Sequence, residues 1–123
     1  MAPDWRWGAR TPVMDDSEAT QLLNAERSRI EEALAGLEAS ARRDREDATQ
    51  DHGEAGDLVQ AGHDAGQREQ LEAELRAVES AEQRLASGTY GISVESGEAI
   101  PDDRLRAQPT SERTVAEQAR FDA

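Results

Sequence analysis

Three acids crowd the stretch Asp51-His52-Gly53-Glu54-Ala55-Gly56-Asp57, and the chain's two histidines, His52 and His63, flank its centre. Carboxylates at Glu54 and Asp57 could hold a hard cation such as Mg²⁺ through oxygen ligands, but one pair on a turn makes a poor stand-alone site. The histidines lie eleven residues apart without the spacing of a helical metal pair, so exposed loop histidines are the plainer reading and a metal sensor the rarer one. Asp57 also stands three residues before Gln60, the spacing of a capping box, so capping of a helix explains it as well as chemistry does. Nothing else resembles a catalytic set. There is no cysteine, no Ser-His-acid arrangement with a supporting motif and no phosphate-cradling glycine loop, and no enzyme is expected.

The elements that would carry this stretch are two helices. A helix begins near Asp15 to Ser17, where Asp15 or Asp16 caps and Glu18 adds favourable charge at the positive end. Leu23, Ile30, Leu34, Leu37 and Ala41 then draw one apolar stripe, opposite a face of Glu26, Arg27, Arg29, Glu31 and Glu32. Past Ala41 the chain turns polar through Arg42-Arg43-Asp44-Arg45-Glu46-Asp47, and the helix is expected to end near Thr49. The return helix is expected to start at Asp57. Gly62 and Gly66 each weaken it by about 1 kcal/mol against alanine, so its first part should be the more mobile. From Gln67 onward Leu71, Leu75, Val78 and Leu85 make the matching stripe, with Ala77 and Ala81 beside it and Glu82 in a place where an apolar residue is expected. Gly88 ends the helix. Two stripes of similar length joined by a short acidic turn predict an antiparallel coiled-coil helical hairpin in a mostly α protein.

Composition agrees with a structure that buries one stripe per helix instead of a large core. Aromatic residues make up 3% of the 123 residues, and the mean hydropathy is -0.86. The formal net charge is -13, from 27 acids against 14 bases, which would repel a phosphate backbone and argues against direct nucleic-acid binding. Such acidity suits a basic protein surface, such as a channel that handles nucleic acid or nucleotides, although many soluble proteins are acidic. All 14 bases are arginine. No stretch approaches the roughly 18 apolar residues of a membrane span, and the amino terminus lacks a basic-then-apolar signal pattern, so a cytoplasmic protein without membrane contact is expected. The stripe is consumed within the hairpin, which predicts a monomer.

The period changes after Gly88. Tyr90, Ile92 and Val94 alternate with Gly91 and Ser93 as in a half-buried strand, Ser96-Gly97 supplies a turn, and Ile100-Pro101-Asp102-Asp103-Arg104-Leu105-Arg106-Ala107-Gln108-Pro109 follows. Pro101 opens a short helix through Arg106, and Thr110 or Ser111 is expected to cap a last helix carrying Val115, Ala119 and Phe121. Gly88, Tyr90, Gly91, Gly97, Ile100, Pro101, Arg104, Leu105, Ala107 and Pro109 resemble, in register, the zinc-finger signature of the DksA/TraR family, bacterial regulators that bind RNA polymerase. The resemblance implies a small degenerate zinc-finger-like lobe, a short β-hairpin plus short helices, after the coiled coil. The resulting division is an arm over 1–14, a hairpin over 15–87 with its tip near 50–58, and a lobe over 88–123. Trp5 and Trp7 lie in the arm, which is either flexible or docked on a partner or on the lobe.

The family's four zinc-ligand cysteines would fall at Ser93, Ser96, Thr114 and Glu117. Two serines, a threonine and one carboxylate do not make the thiolate or imidazole shell of a structural zinc, so no metal or other cofactor is expected. A structural zinc contributes roughly 10 to 16 kcal/mol to folding a small finger. The expected substitute is an apolar cluster drawn from Tyr90, Ile92, Val94, Ile100, Leu105, Val115 and Phe121, with the serine hydroxyls bonding backbone amides of the turn. By the same resemblance the tip acids act at the active centre of polymerase, which maps that role onto Asp57 and Glu54, with Val59 at the position of a family alanine. The implied function is insertion of the acidic tip into the secondary channel of bacterial RNA polymerase to modulate initiation. The alternative is a coiled-coil adaptor that keeps the fold without regulating polymerase. No motif marks a site for the alarmone ppGpp.

Overall fold

The computed structural model describes residues 14–48 and 54–123, with side chains described for 14–47 and 61–123. Trp5, Trp7 and His52 lie outside the described residues. Two long helices, α1 (Asp16–Ala48) and α2 (Glu54–Ser87), are followed by short helices α3 (Asp102–Ala107) and α4 (Val115–Asp122). With 33 and 34 residues, α1 and α2 each run about 50 Å at 1.5 Å per residue.

Local chemistry sets two of the four ends of the long helices. Asp15 caps α1: its Oδ1 accepts the amide of Glu18 at 2.8 Å. Met14 before the cap and Ala19 after the first turn share one buried cluster, the arrangement of a hydrophobic staple. At the end of α2 the amide of Thr89 donates to the carbonyl of Arg84 at 2.8 Å and that of Gly88 to Leu85 at 3.2 Å. This is the Schellman pattern, and it places Gly88 at φ +81°, where a side chain would be strained. The start of α2 departs from expectation. The helix is described from Glu54, so Asp57 is its fourth residue and does not cap it. Acidic residue types are favoured in a helical first turn by the macrodipole, and that preference extends the helix back past Gly56.

Two compact units make up the chain. One comprises Arg27–Arg76; the other comprises Met1–Glu26 with Ala77–Ala123 and is described from Met14. Within 27–76, Arg29 meets Glu74 at 2.8 Å and Arg68 meets Glu38 at 3.0 Å. One partner's number rises as the other's falls, so the arms run antiparallel. Ile30 is fully buried, whereas Leu34, Leu37, Ala41, Leu71 and Leu75 are only half-buried.

The other unit holds the core cluster. Met14 ahead of the α1 cap, Ala19 and Leu23 from α1 and Ala81 from α2 pack with Tyr90, Ile100 and Leu105 from the lobe, flanked by Leu22 and Leu85. Ala81 is fully buried, and Glu82 beside it, in a place where an apolar residue is expected, is half-buried and engaged. The expected strand over Tyr90 to Val94 contracts to a single antiparallel bridge between Ile92 and Ala99. Gly91 and Gly97, at φ +83° and +78°, curl the backbone on both sides and leave no room for a longer ladder.

The apolar cluster expected among the lobe's own residues does not form as a whole. Tyr90, Ile100 and Leu105 are buried, but Val94, Val115 and Phe121 are 51%, 63% and 61% exposed. The buried three face the base of the long helices instead. Ile100→Ala should therefore destabilise the protein by roughly 2 to 5 kcal/mol through the cavity it leaves. Val115→Ala should stay within about 0.5 kcal/mol of wild type. Urea unfolding of both variants measures the difference.

Candidate functional site

The lobe is held by a buried carboxylate. Ser93, Ser96, Thr114 and Glu117 come together although 24 residues separate the first from the last. The Ser93 hydroxyl donates to Glu117 Oε1 at 2.6 Å, the amide of Thr114 donates to the same oxygen at 2.9 Å, and the Ser96 hydroxyl helps keep the Glu117 carboxylate charged. Ser93 Oγ in turn accepts the amides of Glu95 at 3.0 Å and Ser96 at 3.2 Å, while Ser96 Oγ accepts that of Glu98 at 3.2 Å. Bonding of the turn's amides by serine hydroxyls is as expected. The carboxylate at the centre was not foreseen.

Glu117 reaches this place because it closes a capping box. Thr114, not Thr110 or Ser111, caps α4: its side chain accepts the amide of Glu117, and the Glu117 side chain returns to the amide of Thr114. The sequence signal was Thr114-Val115-Ala116-Glu117, which has the spacing of that motif. Capping turns Glu117 inward and leaves Val115 and Phe121 exposed.

Hydrogen bonds from Ser93 first, then from Ser96 and the Thr114 amide, hold the Glu117 carboxyl down to about 2 from 4.5. Each donor favours the charged form. This set does not fit zinc: its hydroxyls are engaged with the carboxylate and the turn, and a single charged oxygen donor falls short of a closed tetrahedral shell. Among the described residues no group of three His, Cys, Asp or Glu could hold a metal ion.

The remaining signature residues are accounted for by geometry around this centre. Buried Tyr90 donates its hydroxyl to the carbonyl of Pro109 at 2.8 Å, and burial pushes its phenol up to about 12. Pro101 is the N-cap of α3, and its carbonyl accepts the amides of Arg104 and Leu105 at 3.0 and 3.1 Å. Arg104 Nε donates to the carbonyl of Arg113 at 2.9 Å. Two arginines not singled out in the sequence complete the frame. Arg84 at the end of α2 donates to Glu112 at 3.4 Å and to the carbonyl of Thr110 at 3.5 Å. Arg113 donates to Glu95 at 2.7 Å and lies 3.8 Å from the Phe121 ring centroid, a cation–π contact.

Glu54, Asp57 and Val59 fall in the first turns of α2, and their side chains lie outside the described residues. His63 is exposed on the same helix.

No protein-family model and no curated protein matches the chain. Among solved structures it is similar to transcription factor DksA2 from Pseudomonas aeruginosa, with a TM-score of 0.77 and 25% identity over 87% of this chain and 82% of that one. The chain has the DksA/TraR-family fold. A structure of the RNA polymerase binding protein and transcriptional regulator Dks from Chlamydia trachomatis L2 also matches, at 24% identity over 89% of this chain and 92% of that one, with a TM-score of 0.45. The DksA-like fold explains why residues of the signature concentrate at three turns and one small core: they build the lobe's frame.

The depressed pKa of Glu117 dictates a pH dependence. Unfolding restores a carboxyl near 4.5, so the contribution of Glu117 is complete above about that pH and is lost as pH falls towards 2. Glu117→Gln should be less stable than wild type at pH 7, and the difference should shrink between about pH 4.5 and 2, as denaturant unfolding at stepped pH would show. A difference that stays constant with pH would contradict this role.

Proposed function

We propose that this protein is a transcription regulator that binds bacterial RNA polymerase, and that its helical hairpin carries an acidic tip into the secondary channel to modulate initiation. The reading rests chiefly on likeness over most of its length to a solved structure named as a transcription factor, at a TM-score of 0.77. Two further observations support it. The stretch 51–57 carries Asp51, Glu54 and Asp57 in a chain of net charge -13, which suits a basic channel and its metal-bound nucleotides. DksA2, to which the chain is similar, is named as a transcription factor and not as an enzyme.

In this reading Asp57 and Glu54 act by charge at short range on the catalytic Mg²⁺ or on incoming nucleotide, and Val59 shapes the same tip. The lobe contains no zinc and needs no other cofactor. The protein works as a cytoplasmic monomer. The adaptor reading differs in one respect: it leaves the tip acids without a task.

Binding of the purified protein to core RNA polymerase, measured at two salt concentrations beside Asp57→Asn, separates the two readings. The regulator reading predicts saturable binding that a second secondary-channel factor competes away. It also predicts that Asp57→Asn retains binding within about threefold while losing most of its effect on open-complex lifetime, as expected for a charge of small binding worth. Absence of binding at micromolar protein would overturn it, and an Asp57→Asn variant with full activity would favour the adaptor.

A further inference from the structure

Three glycines of the hairpin lack a local reason to be glycine. Gly36 lies in α1, and Gly62 and Gly66 lie one turn apart in α2. A Cβ built on any of them meets nothing within 4 Å, so no close approach of backbone or side chain requires its absence. None has positive φ; that conformation belongs to Gly88, Gly91 and Gly97. Alanine at such positions raises helix stability, because glycine has more conformational freedom to lose on folding. Beside Gly62 and Gly66 lies an open cleft of about 530 Å³, with Ala33 of α1 and Leu71 of α2 on its walls.

The unit that holds these glycines is also the one with the least to hold it together. Among its described residues Ile30 is fully buried and the other apolar side chains are half-buried at most. The ion pairs that link its two helices at Arg29 with Glu74 and at Arg68 with Glu38 are solvent-exposed, with side-chain exposures of 33% to 54%, and such pairs contribute little. The buried cluster lies wholly in the other unit. Local opening follows buried apolar contact, so the two units differ in the cost of opening.

We propose that the helical residues 27–48 and 54–76 form a compliant arm whose opening is set by Gly36, Gly62 and Gly66, and which opens while the lobe and the base of the helices stay folded. Compliance lets the arm follow the walls of an enclosing site. That purpose rests on the polymerase reading above; the mechanical claim does not.

Hydrogen exchange on the full chain, wild type and the triple variant Gly36→Ala/Gly62→Ala/Gly66→Ala, tests both parts. In the wild type, amides of 31–47 and 61–74 should exchange at least about 100-fold faster, after correction for intrinsic rates, than those of 19–26 and 81–87. Each alanine should slow arm exchange roughly fivefold, so the triple variant roughly 100-fold, with the slowest lobe amides unmoved. The stiffened variant should bind polymerase more weakly or lose part of its effect on open-complex lifetime. Arm and lobe amides that exchange together in the wild type would overturn the mechanical claim. Slowed arm exchange with unchanged binding and transcription would overturn the purpose. If the wild type itself fails to bind polymerase, the functional reading falls, and the exchange data still decide whether the arm is compliant.

Discussion

Much of the lobe depends on one buried carboxylate being charged. A structural zinc organises a finger by drawing four ligands onto a point charge, at roughly 10 to 16 kcal/mol. Glu117 draws in Ser93 and the backbone of Thr114 through hydrogen bonds to an anion. The same residues are gathered, but by weaker forces and with the sign of the central charge reversed. A lobe built on such a centre needs support from outside itself, and its buried residues show where that comes from. Tyr90, Ile100 and Leu105 pack with Met14, Ala19, Leu23 and Ala81, so the lobe and the bases of both long helices share one core.

That sharing divides the protein mechanically. The base of the hairpin is stabilised by the lobe's apolar residues and by Arg84 reaching Thr110 and Glu112. The arm over 27–76 has the exposed ion pairs and a thin stripe. Stability and function are thereby placed apart: one unit makes the fold, and the other carries the acidic turn to its place of action in the proposed role.

Much of this was legible in the sequence because the relevant signals are local. The stripes Leu23-Ile30-Leu34-Leu37 and Leu71-Leu75-Val78-Leu85 give the long helices, Gly88 marks the end of α2, and Pro101 marks the start of α3. Less legible features turn on competition between interactions. Val115 and Phe121 read as core by hydropathy, yet Glu117 wins the inward face of α4 because its capping box and Ser93 together satisfy its charge. Strand alternation over Tyr90 to Val94 yields to the curl at Gly91 and Gly97. Asp57 resembled a cap, but helix extends back to Glu54. The side chains of Glu54, Asp57 and Val59 lie outside the described residues, and their role rests on resemblance and on the charge of the turn.

If a hydrogen-bonded carboxylate holds the lobe where the resembling family has a metal, thermal unfolding of the full chain at neutral pH should be indifferent to a zinc chelator. Superimposable melting curves are expected, with far less than one zinc per chain in the same preparation. One zinc per chain, or a melting midpoint lowered by the chelator, would show that a metal holds the lobe.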